Sequence, residues 1–305
     1  MAERRMTRQE DFLVQENNFR RNAWLIIDYM VNRSPEPSAL VDEILHSIFF
    51  LGNIKAPPSF SPTEIVTDQD MLNALRHRYP QPFERYSSQV PRRCPMSCVL
   101  DMTVALNRQE NERAIIDSVL NLTGQLRGSS KHLVSSTICV SQNTSDRYYG
   151  VSMSTSGPLP GKIMIAASCL STWDSNVAGA VMTYYPNNEM NTNFDGTIRL
   201  PEQIRCQAFS LKPRENPFMP SCRSCQDLFG LTANNNINFP YGNCAEVESL
   251  SNLLKNESET VRVEHAETWT DENREQVELS VREMLTNFLT DRGFTWDNNF
   301  YTPDV

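Results

Sequence analysis

Apolar positions in the first 125 residues recur at helical spacing between recognisable helix caps. The spacing predicts a helix over Asn22 to Arg33 that turns Trp24, Ile27 and Val31 to one face and ends at Ser34-Pro35. A second runs from Ser38 as N-cap to Leu51, with Leu40, Ile44, Ile48 and Leu51 in register and Gly52 just past its end. Thr67 caps a third around Met71, Leu72 and Leu75, and a fourth over Asn107 to Thr123 aligns Ile115, Ile116, Val119 and Leu120 before Gly124. Near Gly128 the pattern changes to short alternating or apolar runs between polar turns. These runs predict strands at Leu133 to Val140, Tyr148 to Met153, Lys162 to Ala167, Val177 to Tyr185 and Arg205 to Leu211. Val247, Leu250, Leu253 and Leu254 then return to helical spacing, followed by a strand at Thr260 to Glu264. The final helix opens at Thr270 with Asp271 and Glu272 in its first turn, buries Val277, Val281, Leu285 and Phe288, and stops at Gly293. The pattern therefore predicts a mainly helical region over residues 1–125 and an α/β layer domain over 126–305.

Composition narrows the function. A chain of 305 residues with 14 Phe, 9 Tyr and 4 Trp has the length and aromatic mass for a packed core. Its 28 basic against 37 acidic residues, a net charge of -9, argue against sequence-independent coating of nucleic acid or adhesion to anionic membrane. The start MAERRMTRQEDF has no apolar signal-peptide core, and the stretch Ala23 to Ile27 is too short to span a bilayer. The expected location is cytoplasmic or nuclear. Asn-x-Ser/Thr matches at Asn32, Asn121, Asn143 and Asn256 are then chance, and eight cysteines speak for buried thiols or metal ligands rather than a disulfide framework. The chain contains neither a Gly-x-Ser-x-Gly elbow nor a Gly-rich phosphate loop.

One cysteine group carries chemistry. Cys222-x-x-Cys225 alone is weak, since eight cysteines in 305 residues give about 0.2 such pairs by chance. Nineteen residues later Cys244 stands where Gly242-Asn243 ends a turn and a helix begins, with Glu246 two positions on. Three protein ligands that hold zinc tetrahedrally, an open fourth position for water and a nearby carboxylate that does not bind the metal are the arrangement zinc-dependent hydrolysis uses. A helix N-terminus further favours thiolate over thiol.

At these residues the sequence resembles the zinc-dependent cytidine deaminase-like superfamily. There a His/Cys-x-Glu motif supplies one ligand and the proton-shuttling Glu, and Pro-Cys-x-x-Cys supplies two thiolates. Cys244-Ala245-Glu246 is similar to the first, and Pro220-Ser221-Cys222-Arg223-Ser224-Cys225 to the second with one extra residue after Pro. The order is reversed here, which implies a permuted or diverged domain. The resemblance implies a cytidine deaminase-like three-layer α/β fold, Zn2+ held by Cys222, Cys225 and Cys244, and Glu246 as the catalytic acid/base. It further implies a hydrolase acting on a cytosine-type base in a nucleoside, nucleotide or single-stranded nucleic acid.

Other readings of the same residues stay open: three buried thiols, or a structural zinc in a non-enzymatic scaffold whose helical N-terminal region binds a protein partner. Glu246 alone is an ordinary first-turn acid. His265-Ala266-Glu267 matches the family's commoner spelling, but no cysteine follows Cys244, so His265 is read as a surface strand end. Cys94 and Cys98 have no close third ligand and are read as buried thiols. Lys212, Arg214 and Arg223 are candidates to meet a substrate phosphate or, more simply, a solvated face. Phe218, Phe239 and Tyr241 are candidates to stack on a base or to pack in the core.

Overall fold

The computed structural model describes residues 8–34, 36–55, 59–212, 217–233 and 237–304. Helices come first: α1 (Arg8–Arg33), α2 (Ala39–Asn53), α3 (Pro62–Ile65), α4 (Gln69–Arg78), α5 (Pro80–Arg85), α6 (Pro95–Asn107) and α7 (Glu112–Gln125). Helix α2 is the centre of this group. The Ser38 hydroxyl accepts the Leu40 N–H at 3.3 Å, and Val41 to Gly52 are all buried. Two of its buried polar side chains are tied to the segment before α6. Arg93 donates to both oxygens of Glu43 at 2.9 and 2.8 Å, and Ser47 donates to the Arg93 carbonyl at 3.1 Å.

Some boundaries move. Helix α1 starts at Arg8 rather than Asn22, and Asp68, not Thr67, caps α4 by accepting the Met71 N–H at 2.9 Å. Helix α6 has no predicted counterpart, because Met96 to Leu100 are all buried and show no one-sided apolar stripe.

The second part holds β1 (Thr137–Gln142), β2 (Arg147–Val151), α8 (Pro158–Ser171), α9 (Ser175–Met182), β3 (Ile198–Arg199), β4 (Arg205–Ser210) and β5 (Phe218–Met219). It ends with α10 (Arg223–Phe229), α11 (Ala245–Asn256), β6 (Glu264–His265) and α12 (Asp271–Thr290). Strands β2-β1-β4-β5 form an antiparallel sheet in that order, with Cys139 of β1 opposite Gly150 on one side and Ala208 on the other. The chain is thus mixed α/β, with an antiparallel sheet.

Two predicted strands are corrected. Lys162 to Ala167 lies inside α8, and Val177 to Met182 belongs to α9. Both runs are buried on nearly every side, and a continuous apolar run carries no period that separates strand from helix. Of the predicted strand at Thr260 to Glu264 only the last residue is in a strand, the two-residue β6 (Glu264–His265), which pairs with β3. In α12 Val277, Val281 and Leu285 are buried below the Thr270 cap as expected, but Leu289 rather than Phe288 completes the buried face, and Phe288 is half-buried.

Helix α11 lies across β2, β1 and β4. β2 is the sheet edge, and α11 side chains satisfy its open backbone groups: Glu248 accepts the Val151 N–H at 2.7 Å, and Asn252 donates to the Tyr149 carbonyl at 2.9 Å. The larger of two apolar clusters runs from Phe19 to Trp296 and includes residues of both regions, and a small one joins Cys139, Ala208 and Ala245. Asn22 of α1 donates to the carbonyls of Arg127 and His132 at 2.7 and 2.8 Å, and the tail returns so that the Tyr301 N–H meets the Val90 carbonyl at 2.8 Å. No described helix is long and apolar enough to cross a membrane.

Candidate metal centre

Cys222 and Cys244 are the N-cap residues of α10 and α11, and Cys225 lies in the first turn of α10. Each is placed by local chemistry. Gly242 takes φ 93°, where a side chain is strained, and a Cβ there would sit 2.8 Å from Ile165 Cγ2. Only glycine makes that turn. Next to it the Asn243 carbonyl accepts the Met153 N–H at 2.9 Å, tying the turn to the end of the β2 strand.

The three sulfurs lie within 4.8 Å of one another, a group that could hold a metal ion. Cys222 Sγ is 3.7 Å from Cys225 Sγ and 3.4 Å from Cys244 Sγ. A tetrahedral ion with sulfur ligands at about 2.3 Å separates those sulfurs by about 3.7 Å, whereas a disulfide brings them to about 2 Å. The spacing matches ligands, not a bond. Cys225 is fully buried, Cys222 buried and Cys244 half-buried. The Cys222 thiol is held far below the ordinary thiol range by its hydrogen bonds with Cys225 and Cys244, which share their protons among three close sulfurs. The other two are pushed up for the same reason.

Glu246 belongs to the same cluster. It lines the same cleft as Cys222 and Cys244. Burial pushes its carboxyl up to about 7, and the Cys222 charge adds to the rise. It is not one of the three grouped ligands, and the described residues offer no fourth His, Cys, Asp or Glu to close the set. Cys222, Cys244 and Glu246 instead face a cleft of about 200 Å³, whose walls include Thr137, Ser152, Met219 and Phe239. The site is a three-sulfur group open on one side, with a carboxylate at its rim.

The remaining candidates separate. Phe239 lines the cleft and is 48% exposed, so its ring is available there. Tyr241 stacks on Tyr184 with centroids 4.0 Å apart and donates to Asp227 at 2.8 Å, in the wall of a neighbouring cleft. Phe218 packs against Phe209 on the sheet edge, centroids 5.2 Å apart. Arg223 faces Asp227 at 4.0 Å, Lys212 is exposed, and neither lines the cysteine cleft; Arg214 lies outside the described residues. His265 is exposed at the end of β6 and stacks on Trp269 at 4.2 Å, apart from the sulfurs. Cys94 and Cys98 are buried thiols in and beside the first turn of α6.

Sequence reasoning missed much of the cleft wall. Ser130, Ser136, Thr137, Ser152 and Met153 come from turns and strand ends with no motif. Their only signal was position within the predicted strands Leu133 to Val140 and Tyr148 to Met153 or, for Ser130, just before the first of them. Comparison of the chain with protein-family models, with curated proteins and with solved structures finds no match.

Proposed function

We propose that the chain is a zinc-dependent hydrolytic deaminase acting on a cytosine-type base, on a diverged cytidine deaminase-like scaffold. The observation that carries this reading is the position of Glu246: on the open cleft that Cys222 and Cys244 also line, and outside the three-sulfur ligand set. A purely structural site has four protein ligands and no use for a carboxylate at its rim. Cytosine rather than another aminated ring rests on the motif resemblance.

Cys222, Cys225 and Cys244 would hold the ion, and the α11 N-terminus that carries Cys244 favours its thiolate. When bound, zinc supplies the Lewis acidity that makes water a nucleophile at neutral pH. Glu246 takes a proton from that water on a carboxylate oxygen and delivers it to N3 of the ring as oxygen adds to C4. It then carries the proton of the new C4 hydroxyl to the amino nitrogen, the C4–N bond breaks, and ammonia leaves. Cytosine and water become uracil and ammonia, so atoms and protons balance. Phe239 offers its exposed ring as a stacking face for the base.

Glu246→Gln tests the reading. A positioned acid/base contributes about 10² to 10⁴ in rate, so the variant should retain metal and melting temperature and lose ammonia release from cytidine, deoxycytidine or their monophosphates. Unchanged turnover removes Glu246 from the mechanism. A metal-loaded wild type that is silent on nucleosides, nucleotides and single strands transfers the site to a structural role.

A further inference from the structure

The cysteine cleft continues into a larger one of about 570 Å³, and Ser130, Met153, Phe239 and Asn243 line both. Pockets for whole small ligands run to roughly 300–1,000 Å³. At about 200 Å³ the cysteine cleft has room for a ring and leaves the remainder of any larger substrate to its neighbour.

That neighbour has one-sided chemistry. Lys131 and Lys162 line it, and among its described lining residues there is no carboxylate. In a chain with 37 acidic and 28 basic residues this is a local inversion of charge. Lys131 projects from the short 3-10 turn Ser130–His132 and is exposed. Lys162 sits in the second turn of α8, with its ammonium 3.5 Å from Asn187 Oδ1. The backbone at the start of α8 is a poor anion donor, since Pro158 and Pro160 have no N–H and the Gly161 N–H is spent on the Gly157 carbonyl at 2.9 Å. Anion recognition therefore falls to the two ammonium groups. Two such groups suit one phosphate, whereas a strand needs a basic track that neutralises several.

We propose that this larger cleft is a phosphate subsite, in which Lys131 and Lys162 hold the phosphate of a free nucleoside monophosphate whose base lies over Cys222 and Cys244. The assignment rests on the base-binding reading above and adds to it the substrate class. Charge-assisted hydrogen bonds to phosphate are the strong ones, so they should dominate the affinity difference between a nucleotide and its nucleoside.

Calorimetric titration of the zinc-loaded full chain with CMP, cytidine and a short cytosine-containing single strand tests it. CMP should bind at least tenfold tighter than cytidine and tighter than the strand, with a preference that shrinks as salt rises. The double variant Lys131→Met, Lys162→Met should bring CMP to the level of cytidine with zinc content and melting temperature unchanged. Equal or absent binding of CMP and cytidine by the wild type, or a full CMP preference in the double variant, overturns the subsite. Tighter binding of the strand overturns the free monophosphate as substrate. The two readings fail separately: a lysine-dependent CMP preference without ammonia release keeps the subsite and removes the deaminase, while turnover of cytidine without a CMP preference does the reverse.

Discussion

Gly150 of β2 lies directly against the backbone of α11, where a Cβ would fall 2.3 Å from the Ser249 nitrogen and 2.5 Å from the Ala245 carbonyl oxygen. No side chain can rotate away from such a clash, because both obstructing atoms are main chain. The contact sets the height of α11 above the sheet and, with it, the position of Cys244 and Glu246. Gly150→Ala should therefore act twice. It should cost about 1–3 kcal/mol or more in chemical denaturation, as overpacking does, and should weaken metal binding although position 150 touches no ligand. A variant with wild-type stability and metal affinity would show that the strand-to-helix contact does not place the site.

The sulfur cluster makes a second expectation specific to its members. Cys222→Ser, Cys225→Ser and Cys244→Ser should each drop bound zinc from about one equivalent to near zero by elemental analysis, with loss of thermal stability, because metal binding adds directly to folding. Cys94→Ser should keep its metal, since Cys94 is outside the three-sulfur group and its Sγ contacts Ser97 Oγ at 3.3 Å. Full zinc retention by the Cys244 variant, or equal loss in the Cys94 variant, would dissolve the proposed set.

His265 offers the contrasting case. It pairs across β6 and β3 with Ile198 and stacks on Trp269, exposed to solvent. His265→Ala should cost under about 1 kcal/mol and leave zinc content unchanged, the usual outcome at an exposed position. Loss of metal as complete as in Cys244→Ala would mean that the second His-Ala-Glu spelling was the true motif.

Much of the centre was legible in sequence, and the reason is local. Gly242-Asn243 announces a turn, Cys244 stands in an N-cap position, and Val247, Leu250 and Leu254 keep helical spacing on one buried face, so α11 needs no distant information. Strands β1, β2 and β4 were likewise marked by alternation between polar turns. Helices α8 and α9 were not, because Ile163 to Cys169 and Val177 to Met182 are buried throughout and carry no period. Lys131 and Lys162 were passed over for a related reason. One lies in a polar turn and the other at the start of a helix that read as a strand, and only the tertiary fold brings them to one cleft.

The last expectation concerns the join between the C-terminal tail and the helical region. The Tyr301 hydroxyl donates to the Asp42 carboxylate in the core, and the His46 ring stacks on Tyr301 with centroids 3.7 Å apart. Glu43, Arg85 and Asp304 add the surrounding charges. Burial raises Asp42 to about 6 and lowers His46 to about 3. The two signs oppose. Asp42 binds its proton more tightly folded than unfolded, so its contribution is full below its ordinary value of 3.8 and is lost as pH rises through about 6. His46 resists protonation when folded, so its contribution is full above 6.5 and is lost as pH falls toward about 3. Between these limits the wild type carries two slopes that offset each other, and single variants should unmask them. The stability of Asp42→Asn relative to wild type should rise as pH goes from about 4 to about 6 and level off beyond. That of His46→Gln should rise as pH falls over the same range. Denaturant titrations at each pH read both differences, and parallel pH profiles for wild type and the two variants would show that neither group titrates on folding.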